Sequence, residues 1–108
     1  MVQITIERDG DKRLLRMRGH ANYKDKNDIV CAGCSAVGQS LVGWCMNYSD
    51  HLTNIKLLDW QRGRITVDAT GDDLFKTAFE VAVIGLEQIA SKYPANVEIT
   101  KQGKLSKA

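Results

Sequence analysis

Apolar and polar residues alternate at the start of the chain. Val2, Ile4 and Ile6 fall on one side, Gln3, Thr5 and Glu7 on the other, the period of a half-buried strand. An Asp9-Gly10 turn within "RDGDK" lets "LLRMR" pair back as a hairpin with Leu15 and Met17 facing inward. The next segment, "ANYKDKN", has no periodic apolar residue and reads as an exposed, mobile loop. From Asp28 the period changes. "DIVCAGCSAVGQSLVGWCMNYSD" carries Val30, Cys34, Val37, Leu41, Cys45 and Tyr48 on one stripe, at the roughly 100° per residue of a helix. Asp28 is the expected N-cap, accepting from a backbone N–H near Cys31. Gly33, Gly38 and Gly43 each weaken this helix by about 1 kcal/mol relative to alanine, which points to close packing against a sheet or a second subunit.

Two further strands, "NIKLLDW" and "GRITVDAT", meet at a short turn around "QRG". A second helix, "GDDLFKTAFEVAVIGLEQIASKY", is opened by Asp72 or Asp73 and closed by Pro94, with Phe75, Ala78, Phe79, Ala82, Leu86, Ile89 and Tyr93 on its stripe. "NVEIT" makes a last short strand, and "KQGKLSKA", residues 101–108, reads as a frayed basic tail. The order ββαββαβ predicts an α+β fold: two layers, with two helices on one face of a mostly antiparallel sheet. No linker or low-complexity tract divides the chain, so residues 1–108 read as one domain.

Composition narrows the class without naming a function. With 44% hydrophobic and 26% charged residues the chain is globular, not disordered. A net charge of +2 is too weak to argue for nucleic acid. No apolar run approaches the ~20 residues that cross a bilayer, and "MVQITIERDGD" lacks the basic-then-apolar pattern of a secretory signal. The expectation is a cytoplasmic protein whose three cysteines, an odd number, are free thiols.

Those thiols occupy different settings. Cys34 and Cys45 lie on the apolar stripe and read as small buried hydrophobes. Cys31 lies about 100° off the stripe and in the first turn. There, unpaired N–H groups and the helix dipole stabilise an anion, and hence the nucleophilic thiolate. His20 closes the second strand beside Gly19, and an imidazole near Cys31 can take its proton and return one to a leaving amine. The bland alternative for His20 is a solvated strand-end side chain. Asp28 reads chiefly as a cap, although near His20 it could also orient the ring. Ser35, one turn beyond Cys31, either donates toward the sulfur or bonds back to a helix carbonyl. His51, within "SDHL", reads as solvated.

"GHA", then a polar loop, then "DIVCA-x-x-SA" opening a helix resembles the ribosomal-processing cysteine protease Prp (YsxB-like) family, and "FEVAVIGLEQIA" has that family's "F-x-x-A-x-x-G-L-x-x-I" character. The likeness covers essentially the whole chain. It implies a homodimeric cysteine endopeptidase that removes a short N-terminal extension from a large-subunit ribosomal protein, after a hydrophobic, phenylalanine-rich motif. It implies His20 as general base and Cys31 as nucleophile, with Asp28, Ala32 and Ser35 supporting them and backbone N–H groups at the helix start steadying the oxyanion. No cofactor or metal is implied.

This chain departs from the family in two places. "KDKND" replaces a loop that usually carries a glycine before the aspartate and is one residue longer, which bears on the preferred peptide more than on the chemistry. Cys34 stands where a non-thiol is usual and creates a CxxC. Two other functions therefore compete: a thiol–disulfide protein built on "CAGC", and a non-catalytic ribosome-associated module suggested by the basic tail. A zinc site is weaker, because the three cysteines and His20 do not form two chelating pairs.

Overall fold

The computed structural model describes residues 1–20 and 28–102. The predicted loop at 21–27 and the tail from 103 onward lie outside the described residues. The remainder runs β1 (Val2–Asp9), β2 (Lys12–Arg18), α1 (Ile29–Asn47), a 3-10 turn (Ser49–His51), β3 (Leu52–Gln61), β4 (Arg64–Gly71), α2 (Asp73–Lys92) and β5 (Val97–Gln102). The sheet order is β3-β4-β2-β1-β5, antiparallel throughout except for the β1/β5 pair. The α+β reading and the ββαββαβ order are therefore observed.

Register explains the core. Ile6, Leu15 and Val67 oppose one another across β1, β2 and β4, and so do Ile4, Met17 and Ile65. All six are buried, so each transverse row offers the helices a continuous apolar ridge. The second row extends to Ile99 on β5 and to Trp60 on β3, where the sheet ends and the indole is exposed.

Both helices are crossover connections. β2 and β3 each run antiparallel to β4 and are thus parallel to one another; by the same reasoning β4 and β5 are parallel. The two crossovers travel in opposite directions along the sheet from strands of opposite sense. The right-handed preference of such connections then puts both helices on one face. Phe75, Phe79, Ala82, Val83 and Leu86 of α2 meet Val30, Cys34, Leu41, Val42 and Cys45 of α1 over the sheet's ridges in a single core. A bidentate pair, Arg8 Nε and Nη2 to the Glu80 carboxylate at 2.7 and 2.6 Å, ties β1 to α2.

Several expectations need correction. Tyr48 is not on the buried stripe: α1 ends at Asn47, and Tyr48 is its exposed C-cap. Gly38 and Val42 fill the stripe instead, because the helix must approach the sheet closely there. A Cβ on Gly38 would stand 2.9 Å from both Ile65 Cδ1 and Met17 Sδ. By length and mean hydropathy α1 does match a bilayer-spanning helix, contrary to the sequence expectation, but here its apolar face lies on the sheet. β5 continues to Gln102, pairing Lys101 with Ile6 and Gln102 with Glu7, so those two residues are strand and not tail. His51 is not simply solvated: its Nδ1 lies 2.7 Å from Asp72 Oδ2, across the junction between the 3-10 turn and α2.

Candidate active site

The N-terminus of α1 is built around Asp28. Its backbone is extended, and its Oδ1 accepts from the N–H groups of Val30 at 3.0 Å and Cys31 at 2.9 Å. Its carbonyl accepts from Ala32 N–H at 3.0 Å, the first bond of the helix. The capping role predicted for Asp28 is thus present. It also alters the expected oxyanion site, because two of the first-turn N–H groups are already donated to the carboxylate.

With the cap set, helical spacing sorts the side chains. Cys34 turns into the core and is 1% exposed, whereas Cys31 is only partly buried. Burial pushes the Cys34 and Cys45 thiols up to about 11, and for Cys34 the neighbouring Cys31 and Asp28 add to that effect. Cys34 is thus enclosed and hard to ionise while Cys31 faces the cleft, so the two sulfurs of the CxxC occupy different environments. Cys31, Ser35 and Gln39 follow one another at i, i+4 and i+8 along one side of α1 and face a common cleft together with Ala32.

His20 reaches that cleft from beyond the end of β2. Its Nδ1 lies 4.0 Å from Cys31 Sγ. Folding therefore brings together the two residues that sequence reasoning paired, at a distance longer than a direct catalytic hydrogen bond; such bonds are often loose before substrate binds. Asp28, Ala32 and Ser35 line the same cleft, which has a volume of about 970 Å³. Its far wall is the tip of the β3–β4 hairpin: Trp60, Gln61, Arg62 and Gly63. Neither that wall nor Gln39 stands among the site residues expected from the sequence. Gln39 was accessible from the i, i+4, i+8 line through Cys31. The hairpin tip carries no comparable signal, since only strand pairing places it there. Among the described residues, no three His, Cys, Asp or Glu side chains gather as a metal site.

The sequence profile described as cysteine protease Prp matches residues 1–98. The chain belongs to the cysteine protease Prp family. It is accordingly a cysteine protease. No curated protein matches it in sequence, but solved structures do in fold. An essential ribosomal processing protease Prp from S. aureus, in complex with a covalently linked product peptide, superposes with a TM-score of 0.80 at 23% identity, covering 94% of this chain and 100% of that one. SMU.848 from Streptococcus mutans gives 0.73 at 22% identity, covering 96% of each chain. The S. aureus Prp with a substrate peptide gives 0.71 at 23% identity, over 94% and 100%. At such identities these likenesses establish the Prp fold.

Proposed function

We propose that this Prp-family protease uses Cys31 as nucleophile and His20 as general base to remove a short N-terminal extension from a large-subunit ribosomal protein. The observation that carries the assignment is the 4.0 Å approach of His20 Nδ1 to Cys31 Sγ at the mouth of one open cleft. In this reading His20 takes the Cys31 proton and Sγ attacks the scissile carbonyl carbon. The C–N bond breaks as His20 hands that proton to the departing amine. Water, deprotonated by His20, then hydrolyses the thioester and frees the thiol. Asp28 holds the helix start in position. Because its carboxylate occupies two first-turn N–H groups, the Ser35 hydroxyl, the Gln39 amide and the Arg62 guanidinium are among the cleft-lining donors suited to the oxyanion.

The substrate class draws support from family membership and from the S. aureus relatives, which are ribosomal processing proteases crystallised with peptides. An extended peptide suits an open cleft bounded by a helix on one side and a hairpin on the other. The same reading places the enzyme in the cytoplasm, where the ribosome is, as a homodimer acting as a single-domain subunit.

Cleavage of an N-terminally extended ribosomal protein, followed by mass spectrometry, tests the assignment. Cys31→Ala is expected to abolish product and His20→Ala to reduce it by about two orders of magnitude or more, while Cys34→Ser retains most activity. Persistent cleavage by Cys31→Ala would overturn the reading. Sedimentation of the purified protein tests the dimer.

A further inference from the structure

We propose that Gly63, at the tip of the β3–β4 hairpin, is a positioning residue for His20; the inference rests on the proposed role of His20 as base. β2 ends at Arg18, so the strand ladder does not itself fix the histidine. Two contacts take its place. Gly19, at φ +96°, donates its N–H to the Gly63 carbonyl at 3.0 Å. Its bare α-carbon also faces the Met1 carbonyl so closely that a Cβ would lie 2.5 Å from the oxygen. The backbone leading into His20 is thereby clamped between the chain's first residue and the hairpin tip.

Gly63 then meets the ring itself. It adopts φ +77°, and a Cβ there would stand 3.3 Å from His20 Nε2 and 3.4 Å from Cε1. The exposed imidazole turns its Nδ1 toward Cys31 Sγ, and its Nε2 edge lies beside the bare face of Gly63. Any side chain at position 63 must displace the ring by a few tenths of an ångström. The Nδ1–Sγ geometry is what such a displacement changes, and proton transfer depends steeply on that geometry. Gly63 thus acts through His20, without contact to the reacting atoms.

Gly10 provides an internal control. It sits in the other hairpin turn at φ +57°, and a Cβ there meets nothing within 4 Å. Gly10→Ala therefore suffers the same kind of backbone strain as Gly63→Ala while leaving His20 untouched. Gly63→Asn adds the same Cβ with less strain, because asparagine tolerates the left-handed region, and it serves as the informative variant if Gly63→Ala does not fold. The experiment measures kcat and KM on the extended substrate, the pH profile of Cys31 alkylation by iodoacetamide, and Tm. Gly63→Ala and Gly63→Asn are expected to lower kcat by about tenfold or more, with KM within about twofold, and to shift the alkylation profile. Gly10→Ala is expected to lose Tm but keep kcat and the profile. Wild-type kcat and profile in a folded Gly63→Asn protein, or an equal loss of kcat in Gly10→Ala, would overturn the proposal. Cys31→Ala is assayed alongside: if it still cleaves, the proposed function itself has failed, whereas an inert Cys31→Ala beside a fully active Gly63→Asn removes this inference alone.

Discussion

Cys31 and Cys34 stand three residues apart on one helix, yet their sulfurs occupy different media. Cys31 borders the cleft, while Cys34 is enclosed by the core and its thiol is held near 11 by burial. Iodoacetamide at near-neutral pH is therefore expected to add a single group to the native protein, at Cys31, and to reach Cys34 and Cys45 only after denaturation; peptide mapping distinguishes these cases. The glycines of α1 diverge in the same way. Gly43 faces open space, so Gly43→Ala should stabilise by up to about 1 kcal/mol through helix propensity. Gly38→Ala gains that term but forces Ile65 and Met17 aside, and overpacking of about 1–3 kcal/mol makes it neutral to destabilising. Thermal unfolding of the two variants should move in opposite directions, or leave Gly38→Ala unchanged. Both glycines were legible as helix-weakening residues. Which one touches the sheet was not, because that depends on the crossing geometry of α1 over β2 and β4.

At the scale of the element, each helix begins on an aspartate whose side chain accepts from two backbone N–H groups: Asp28 for α1 and Asp72 for α2. Asp28 was readable from the sequence and the second cap was narrowed to Asp72 or Asp73, since the chemistry of an N-cap is local. The further bond from Asp72 to His51 was not, because it joins the 3-10 turn to α2 across the length of the β3–β4 hairpin. It has a pH signature. The hydrogen bond to Asp72 raises His51 above its ordinary 6.5, and the same bond holds Asp72 below 3.8. The His51 contribution is complete below pH 6.5, where folded and unfolded chains both carry the proton, and is lost as pH rises through the raised folded value. The Asp72 contribution is present above 3.8 and is lost as pH falls through its depressed value. Stability from this pair is therefore greatest between those limits. His51→Gln should flatten the decline in Tm on the alkaline side and soften the acid-side decline too, since Asp72 then keeps only its backbone donors.

Across the whole molecule, two crossover helices on one face of the sheet create both the core and the cleft. Phe75 and Phe79 are fully buried between α1 and the sheet, and Phe79→Ala should destabilise by about 3–5 kcal/mol, measurable as a fall in denaturation midpoint with little change in slope. The cleft draws its parts from the end of β2, the start of α1 and the turn between β3 and β4, segments that meet because β4 inserts between β2 and β3.

The sequence alone determined whatever rests on near neighbours. Alternation specified the strands, the 3.6-residue period specified the helices, and the caps specified their starts. A helix start placed Cys31 apart from Cys34, and the family resemblance carried by "GHA…DIVCA" paired that cysteine with His20. Only the tertiary structure decided how closely α1 lies on the sheet, and that a hairpin tip some forty residues from His20 lies beside its ring. Local preferences act through bonded neighbours and one turn of chain, and are written in adjacent residues. Contacts across the cleft depend on strand order and register, which arise from burying all the apolar faces at once.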